Sequence, residues 1–208
     1  MAGFTIQVQN LSKRFNRDWI FREFTYTFHS RNIYVVTGPN GSGKSTLLQV
    51  LWGQMPASNG VVQYFQSDSE IASEDIFKHI TIATPYMELI EEFTLLEQIR
   101  FHIGLKKMRG GISIEEIVEK LQLSSARNKP IADFSSGMRQ RLKLGLAFFT
   151  HADVIFLDEP GTNLDAQAFA WYLQNLRDLP SETLIIMASN QPSEYPENAH
   201  KIDIFNYK

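Results

Sequence analysis

Short, mostly apolar runs alternate in this chain with longer stretches of helical periodicity, and that alternation restricts the fold more than any other feature. Ile33 to Val36, Val61 to Phe65, Ile80 to Ala83, Val154 to Leu157, Leu184 to Ala188 and Ile202 to Phe205 read as strands. Lys44 to Trp52, Leu95 to Leu105, Ile114 to Leu123, Gly137 to Phe149 and Asp165 to Leu179 carry the helical pattern. A run that is apolar nearly throughout has no face to give to water, so it belongs in a parallel sheet covered by helices on both sides. The expected class is therefore α/β with a mostly parallel sheet. Phe4-Thr5-Ile6-Gln7-Val8-Gln9 and Phe24-Thr25-Tyr26-Thr27-Phe28 alternate with period two instead, which places them in an antiparallel β-flank with one face in water.

With 208 residues the chain has room for one hydrophobic core and a small appended unit. Between Glu88 and Thr150 three helical patterns appear and no strand, so residues 88–150 are expected as a helical subdomain inserted into an α/β core made of 1–87 and 151–208. Ser113-Ile114-Glu115-Glu116 has the form of a capping box, and Ile114, Ile117, Val118 and Leu121 share one face of the helix it opens. The Gly110-Gly111 pair is expected to end one helix before the next begins.

Gly38-Pro39-Asn40-Gly41-Ser42-Gly43-Lys44-Ser45 has the pattern G-x-x-x-x-G-K-[ST], set after a strand and before the helix that Thr46-Leu47-Leu48 begins. Glycines let successive backbone N–H groups converge on phosphate oxygens, and the helix N-terminus adds partial positive charge. Lys44 is then placed to reach the β- and γ-phosphates and the Ser45 hydroxyl to ligate Mg²⁺. Val154-Ile155-Phe156-Leu157-Asp158-Glu159 is an apolar strand ending in two carboxylates, at the strand end where α/β proteins bind ligands. Asp158 can hold Mg²⁺, while Glu159 is placed to orient or deprotonate an attacking water. Together the two motifs describe a nucleoside triphosphate site.

Composition removes other classes. Lys+Arg 20 against Asp+Glu 23 leaves a net charge of -3, with no basic run longer than Lys106-Lys107, so nucleic acid is not an expected partner. The absence of cysteine excludes disulfides, thiolate zinc sites, iron-sulfur ligation and thiol nucleophiles, and fits a reducing compartment. Apolar stretches stay far below the roughly 20 residues of a membrane span. The opening Met1-Ala2-Gly3-Phe4-Thr5-Ile6-Gln7 lacks the basic-then-apolar pattern of a signal peptide, so a cytoplasmic location is expected.

Phe134-Ser135-Ser136-Gly137-Met138-Arg139-Gln140-Arg141 opens a helix upstream of Asp158, with Ser135 and Ser136 available as caps. The glycine loop, this segment, the Asp158-Glu159 pair and Thr162-Asn163-Leu164-Asp165 occur in the order found in ATP-binding cassette (ABC) nucleotide-binding domains, which the chain resembles from Val8 to Phe205. The resemblance implies a P-loop NTPase fold, ATP and Mg²⁺ as cofactors, and hydrolysis of ATP. It also implies pairing with a second ABC ATPase subunit, expected to be identical, in which Ser135 and Gly137 of one copy face the γ-phosphate held by the other. Asp165 would belong to that subunit contact. Phe15 stands where the family keeps an aromatic residue on adenine, although a core position fits it equally.

Three positions depart from the family pattern. Ser136 and Met138 replace a glycine and a glutamine of the signature; Thr84 or Pro85 stands where a glutamine is usual; and Ser189-Asn190 follows the strand Leu184 to Ala188 where a histidine is usual. Asn190 can donate a hydrogen bond to the γ-phosphate but cannot become imidazolium, so binding is expected to survive and turnover to be slow. The leading implication is the ATPase subunit of a transporter, peripheral at the cytoplasmic face of the membrane and driving a separate integral-membrane permease. Tyr86, Met87, Leu89, Ile90 and Phe93 would then be either a docking patch or ordinary core. The signature also resembles that of exporter-type cassettes. The alternative is a soluble assembly ATPase or a slow ATP-dependent switch.

Overall fold

A computed structural model of the chain describes residues 3–208; Met1 and Ala2, part of the stretch read for a signal peptide, lie outside the described residues. Along the chain run β1 (Phe4–Phe15), β2 (Asp18–His29), β3 (Ile33–Thr37), α1 (Lys44–Leu51), β4 (Asn59–Gln66), β5 (Ser69–Glu70), α2 (Ile76–His79), β6 (Ile80–Ala83), α3 (Leu95–Leu105), α4 (Ile114–Lys120), α5 (Ser136–Phe149), β7 (Val154–Asp158), α6 (Ala166–Arg177), β8 (Leu184–Ala188) and β9 (His200–Asp203). The chain divides into two compact units: Met1–Ile80 with Asp153–Glu159 and Pro180–Lys208, and Thr81–Ala152 with Pro160–Leu179.

The first unit carries two sheets. One is antiparallel in the order β2-β1-β4-β5, with Ile6 opposite Phe28 on one side and Tyr64 on the other. Phe4, Ile6 and Val8 are buried while Thr5 and Gln7 between them are not, as period two requires. Val61 to Phe65 lies in this flank and not in the parallel sheet. Its apolar run is only half buried, with Val61 45% exposed and Tyr64 2%, because Gln63 breaks the run and the alternate side chains face water.

The other sheet is parallel, and within this unit it runs β7-β8-β3-β9. Leu157 and Val35 both register with Met187, and Val36 with Ile202. Every residue of β7 and β8 is buried, as their continuous apolar sequences require. Leu47 and Leu48 of α1 are fully buried, and the Trp52 ring meets Phe156 edge-on at 5.5 Å. Each such side chain contributes about 1.5–3 kcal/mol by leaving water. β9 starts and ends earlier than Ile202 to Phe205: the Asp203 carboxylate accepts the Phe205 N–H at 3.0 Å and starts a 3₁₀ turn over Ile204–Tyr207.

The second unit is helical around α5, whose buried residues Leu142, Leu144, Leu146, Phe148 and Phe149 run along most of its length. Residues 160–179 belong to this unit, whereas the sequence reading assigned all of 151–208 to the α/β core. Aromatic packing accounts for the difference: Phe148 meets Trp171 at 6.3 Å and Tyr172 at 6.0 Å, and Trp171 Nε1 donates to Lys120 O at 2.7 Å. The Ser113 capping box forms, with Glu116 N donating to Ser113 Oγ at 3.2 Å and Ser113 N to Glu116 Oε2 at 2.7 Å. A second box, Thr94 with Glu97, opens α3. α4 stops at Lys120, short of the expected Leu123, because Gln122 turns to φ 55. α3 ends at Leu105 as expected, where Lys106 becomes extended and Met108 bridges Thr150, so Gly110-Gly111 lies in a 3₁₀ turn beyond the helix and does not end it.

Candidate active site

β3 delivers the glycine loop to the start of α1. Gly38 and Gly43 have φ of 140° and 100°, and each is also sterically required. A Cβ on Gly38 would lie 2.7 Å from Ile204 Cγ2, and one on Gly43 would lie 2.4 Å from Ile20 Cγ2. Gly41 has φ 77° with open space around it. Ser42 N closes the loop onto Pro39 O at 3.1 Å. Thr46 follows in the first turn of α1, half-buried.

Lys44 is only 4% exposed, although a lysine placed to reach phosphate oxygens suggests a solvent-facing side chain. Its Nζ donates to Gly38 O at 2.9 Å and Pro39 O at 3.2 Å, so the ammonium curls back over its own loop. Burial lowers its pKa, and the nearby Glu159 and Asp158 carboxylates oppose that.

Asp158 ends β7 with 1% exposure. Ser45 Oγ donates to its Oδ1 at 3.0 Å, while its Oδ2 is buried with no partner, as is Ser42 Oγ. Burial pushes the Asp158 pKa up to about 6; the Ser45 hydrogen bond and Lys44 pull it down, and Glu159 adds to the rise. A buried, unsatisfied carboxylate oxygen costs about 1–3 kcal/mol or more unless something completes it. One carboxylate and one hydroxyl, both hard oxygen donors, suit Mg²⁺, which keeps most of its coordination for water and phosphate. Among the described residues no cluster of three His, Cys, Asp or Glu side chains could hold a metal, so a cation here needs ligands from outside the protein.

Glu159 follows at φ 44°, a backbone region rare for a side chain of its size, and is fixed there by its N–H on Ala188 O at 2.9 Å. Beyond β8, Asn190 Nδ2 donates to Asn40 Oδ1 at 2.7 Å. The residue at the departed histidine position therefore reaches the glycine loop. Ser189 before it is fully buried against the Glu194 carboxylate, which holds the turn. Phe15 is 45% exposed, with Lys13 Nζ 5.1 Å from its ring centre, so it is not core.

Ser135 and Gly137 belong to the helical unit. Ser135 caps α5, its Oγ accepting from Met138 N at 3.2 Å. A Cβ on Gly137 would meet Asn163 O at 2.9 Å, so the signature lies directly against the loop before α6. Asp165 caps α6 through Ala168 N at 2.8 Å. The carbonyls of Thr84 and Pro85 both accept from Lys143 Nζ, at 3.3 and 2.8 Å. In the sequence Lys143 reads as one polar position of an amphipathic helix, with no local signal of these acceptors. Beside it opens a groove of about 840 Å³ lined by Pro85 to Glu92, Arg139 and Lys143, with Tyr86 74% exposed and Arg139 bonded to Glu91 at 2.6 Å. No helix among the described residues is long and apolar enough to cross a membrane.

Comparison with known proteins agrees with this geometry. Residues 21–162 match the family model described as ABC transporter. The uncharacterized ABC transporter ATP-binding protein YybJ of Bacillus subtilis is 28% identical over 168 residues, covering 80% of this chain and 76% of that protein. The Nod factor export ATP-binding protein I of Burkholderia lata is 25% identical over 195 residues, covering 92% of this chain and 64% of that protein. A solved structure from Pyrococcus furiosus, assigned to the ABC transporters as an ATP-binding protein, superposes with a TM-score of 0.78 at 17% identity over 98% of both chains, a likeness of fold. Since the family model spans most of the chain and takes in both the glycine loop and the paired carboxylates, the chain belongs to the ABC transporter family, as an ATP-binding domain of its ATPases.

Proposed function

We propose that this chain is the ATP-hydrolysing subunit of an exporter-type ABC transporter, peripheral at the cytoplasmic face of the membrane, pairing with a second copy of itself to drive a separate integral-membrane permease. The observation that carries the reading is the joining of two sequence motifs by Ser45 Oγ on Asp158 Oδ1 at 3.0 Å, with Lys44 and Glu159 alongside. Phosphate oxygens can replace the Gly38 and Pro39 carbonyls at Lys44 Nζ, giving the ammonium an anionic partner. Ser45 and Asp158 would hold Mg²⁺, which when bound neutralises phosphate charge. Glu159 takes the proton of the attacking water as the new bond to the γ-phosphorus forms and the bridging oxygen leaves with ADP. Asn190 donates one neutral hydrogen bond where a charged donor would do more, and the backbone N–H groups of Pro39's neighbours Asn40, Gly41, Ser42, Gly43, Lys44, Ser45 and Thr46 surround the phosphates. Phe15, exposed and flat, stacks on adenine. Ser135 and Gly137 complete the site in the partner copy. Export is supported by the Burkholderia lata relative's name, and the groove beside Tyr86 is the docking surface for a cytoplasmic segment of the permease.

Sedimentation velocity of Glu159→Gln tests the reading. The variant keeps the shape and loses the base, so it should accumulate an ATP-bound dimer in MgATP and remain monomeric without it. Adding Lys44→Ala should abolish both nucleotide binding and the dimer. A Glu159→Gln chain that binds MgATP yet stays monomeric at high concentration refutes pairing with its own copy.

A further inference from the structure

A lysine far from the nucleotide motifs holds the phosphate loop. Lys208 Nζ donates to Ser42 O at 2.6 Å and to Ile20 O at 2.8 Å, so one ammonium joins the glycine loop, β2 and the C-terminal 3₁₀ turn. The turn is itself anchored: Ile204 is fully buried, and the Tyr207 ring packs edge-on against Phe24 at 4.7 Å. Ile204 and Ile20 are also the residues that require glycine at positions 38 and 43. The loop therefore fits between two hydrophobic neighbours, and Lys208 binds the peptide between Ser42 and Gly43.

Peptide geometry states what that contact does. No cis bond occurs among the described residues, so the Ser42 carbonyl and the Gly43 N–H point to opposite sides of one plane. A cation on the carbonyl directs the N–H away from Lys208 and draws electron density toward the oxygen, which makes the N–H a stronger donor. Gly43 is the N-cap of α1, where N–H groups converge on an anion.

We propose that Lys208 is a positioning residue of the nucleotide site, which aims and polarises the Gly43 N–H toward a phosphate oxygen by gripping the Ser42 carbonyl, without touching the nucleotide itself. This rests on the nucleotide reading above. Titration calorimetry with MgADP on the wild type, Lys208→Met and Lys208→Arg tests it. Lys208→Met keeps the apolar stem and should weaken MgADP about tenfold, the scale of one charge-assisted hydrogen bond, with Lys208→Arg recovering most of the loss. The Gly43 amide resonance should move upfield in Lys208→Met, a change that a general loss of stability does not produce. Affinity within about twofold of wild type, or a loss that Lys208→Arg does not recover while the Gly43 amide stays in place, overturns the proposal. A wild-type chain that binds no MgADP overturns the nucleotide reading and this inference with it.

Discussion

Replacing Asp158 by Asn should stabilise the nucleotide-free protein at neutral pH while abolishing its response to MgADP. Burial raises the Asp158 pKa from 3.8 to about 6, so between those values the folded state holds a proton that the unfolded state has released. With a raised folded pKa, the stability this carboxyl contributes is present below about pH 4 and lost as pH rises to about 6. That span, at about 1.4 kcal/mol per decade of proton affinity, amounts to roughly 3 kcal/mol. Asn fills nearly the same volume and carries no charge, but its amide N–H₂ must share the place of the unpartnered Oδ2, which takes back about 1 kcal/mol. The expected gain at pH 7.5 is therefore about 1–3 kcal/mol. Urea unfolding in EDTA from pH 4.5 to 7.5 measures it, and the difference between variant and wild type should open with rising pH and then level off. Other titrating groups cancel in that difference. A pH-independent difference, or a less stable variant at pH 7.5, would refute the reasoning. Magnesium nucleotide should reverse the order, stabilising the wild type and leaving Asp158→Asn unmoved.

Two further outcomes follow from individual residues. Asn190→His should raise the single-turnover rate by up to about tenfold, with a pH dependence near the imidazole value of about 6.5; no gain with affinity intact would show that Asn190, bonded to Asn40, only fixes the loop. Burial, aided by Lys106, pulls the His102 pKa down to about 4, so the stability it contributes is present above about 6.5 and lost as pH falls toward 4. Protection factors of the α3 amides, each referred to its intrinsic exchange rate at that pH, should fall over that window, and His102→Gln should flatten the trend; an unchanged acid slope in the variant would assign the effect elsewhere.

The nucleotide motifs were legible because their chemistry depends on residues adjacent in sequence. A phosphate loop needs glycines, a lysine and a hydroxyl within one turn, and a strand ending in two carboxylates, common by itself, gains its meaning from the presence of that loop in the same chain. The departures at Pro85 and Asn190 were legible as absences, and the chemistry of an amide in place of an imidazole with them, but the contacts those residues make were not. Whether Asn190 faced the loop depended on where β8 ends relative to β3, and the Asn190 to Asn40 hydrogen bond settles the direction of its side chain. Phe15 fitted core and surface equally until its 45% exposure separated them.

The sequence by itself determined the α/β alternation, the strand-loop-helix around Gly38, the capping box at Ser113 and the identity of the polar groups in the glycine loop and at the end of β7. These follow from periodicity and local hydrogen bonding, which act within one or two turns of chain. Tertiary structure alone decided that Val61 to Phe65 joins the antiparallel flank, that α6 packs with the helical unit, that Lys44 is buried on its own loop carbonyls, and that Lys143 and Lys208 serve backbone carbonyls. Each of these depends on desolvation or on an acceptor distant in sequence: 58 positions for Lys143 with Pro85 and 166 for Lys208 with Ser42. A lysine reads as surface charge in any sequence window, and only the packed chain determines which carbonyl is within its reach.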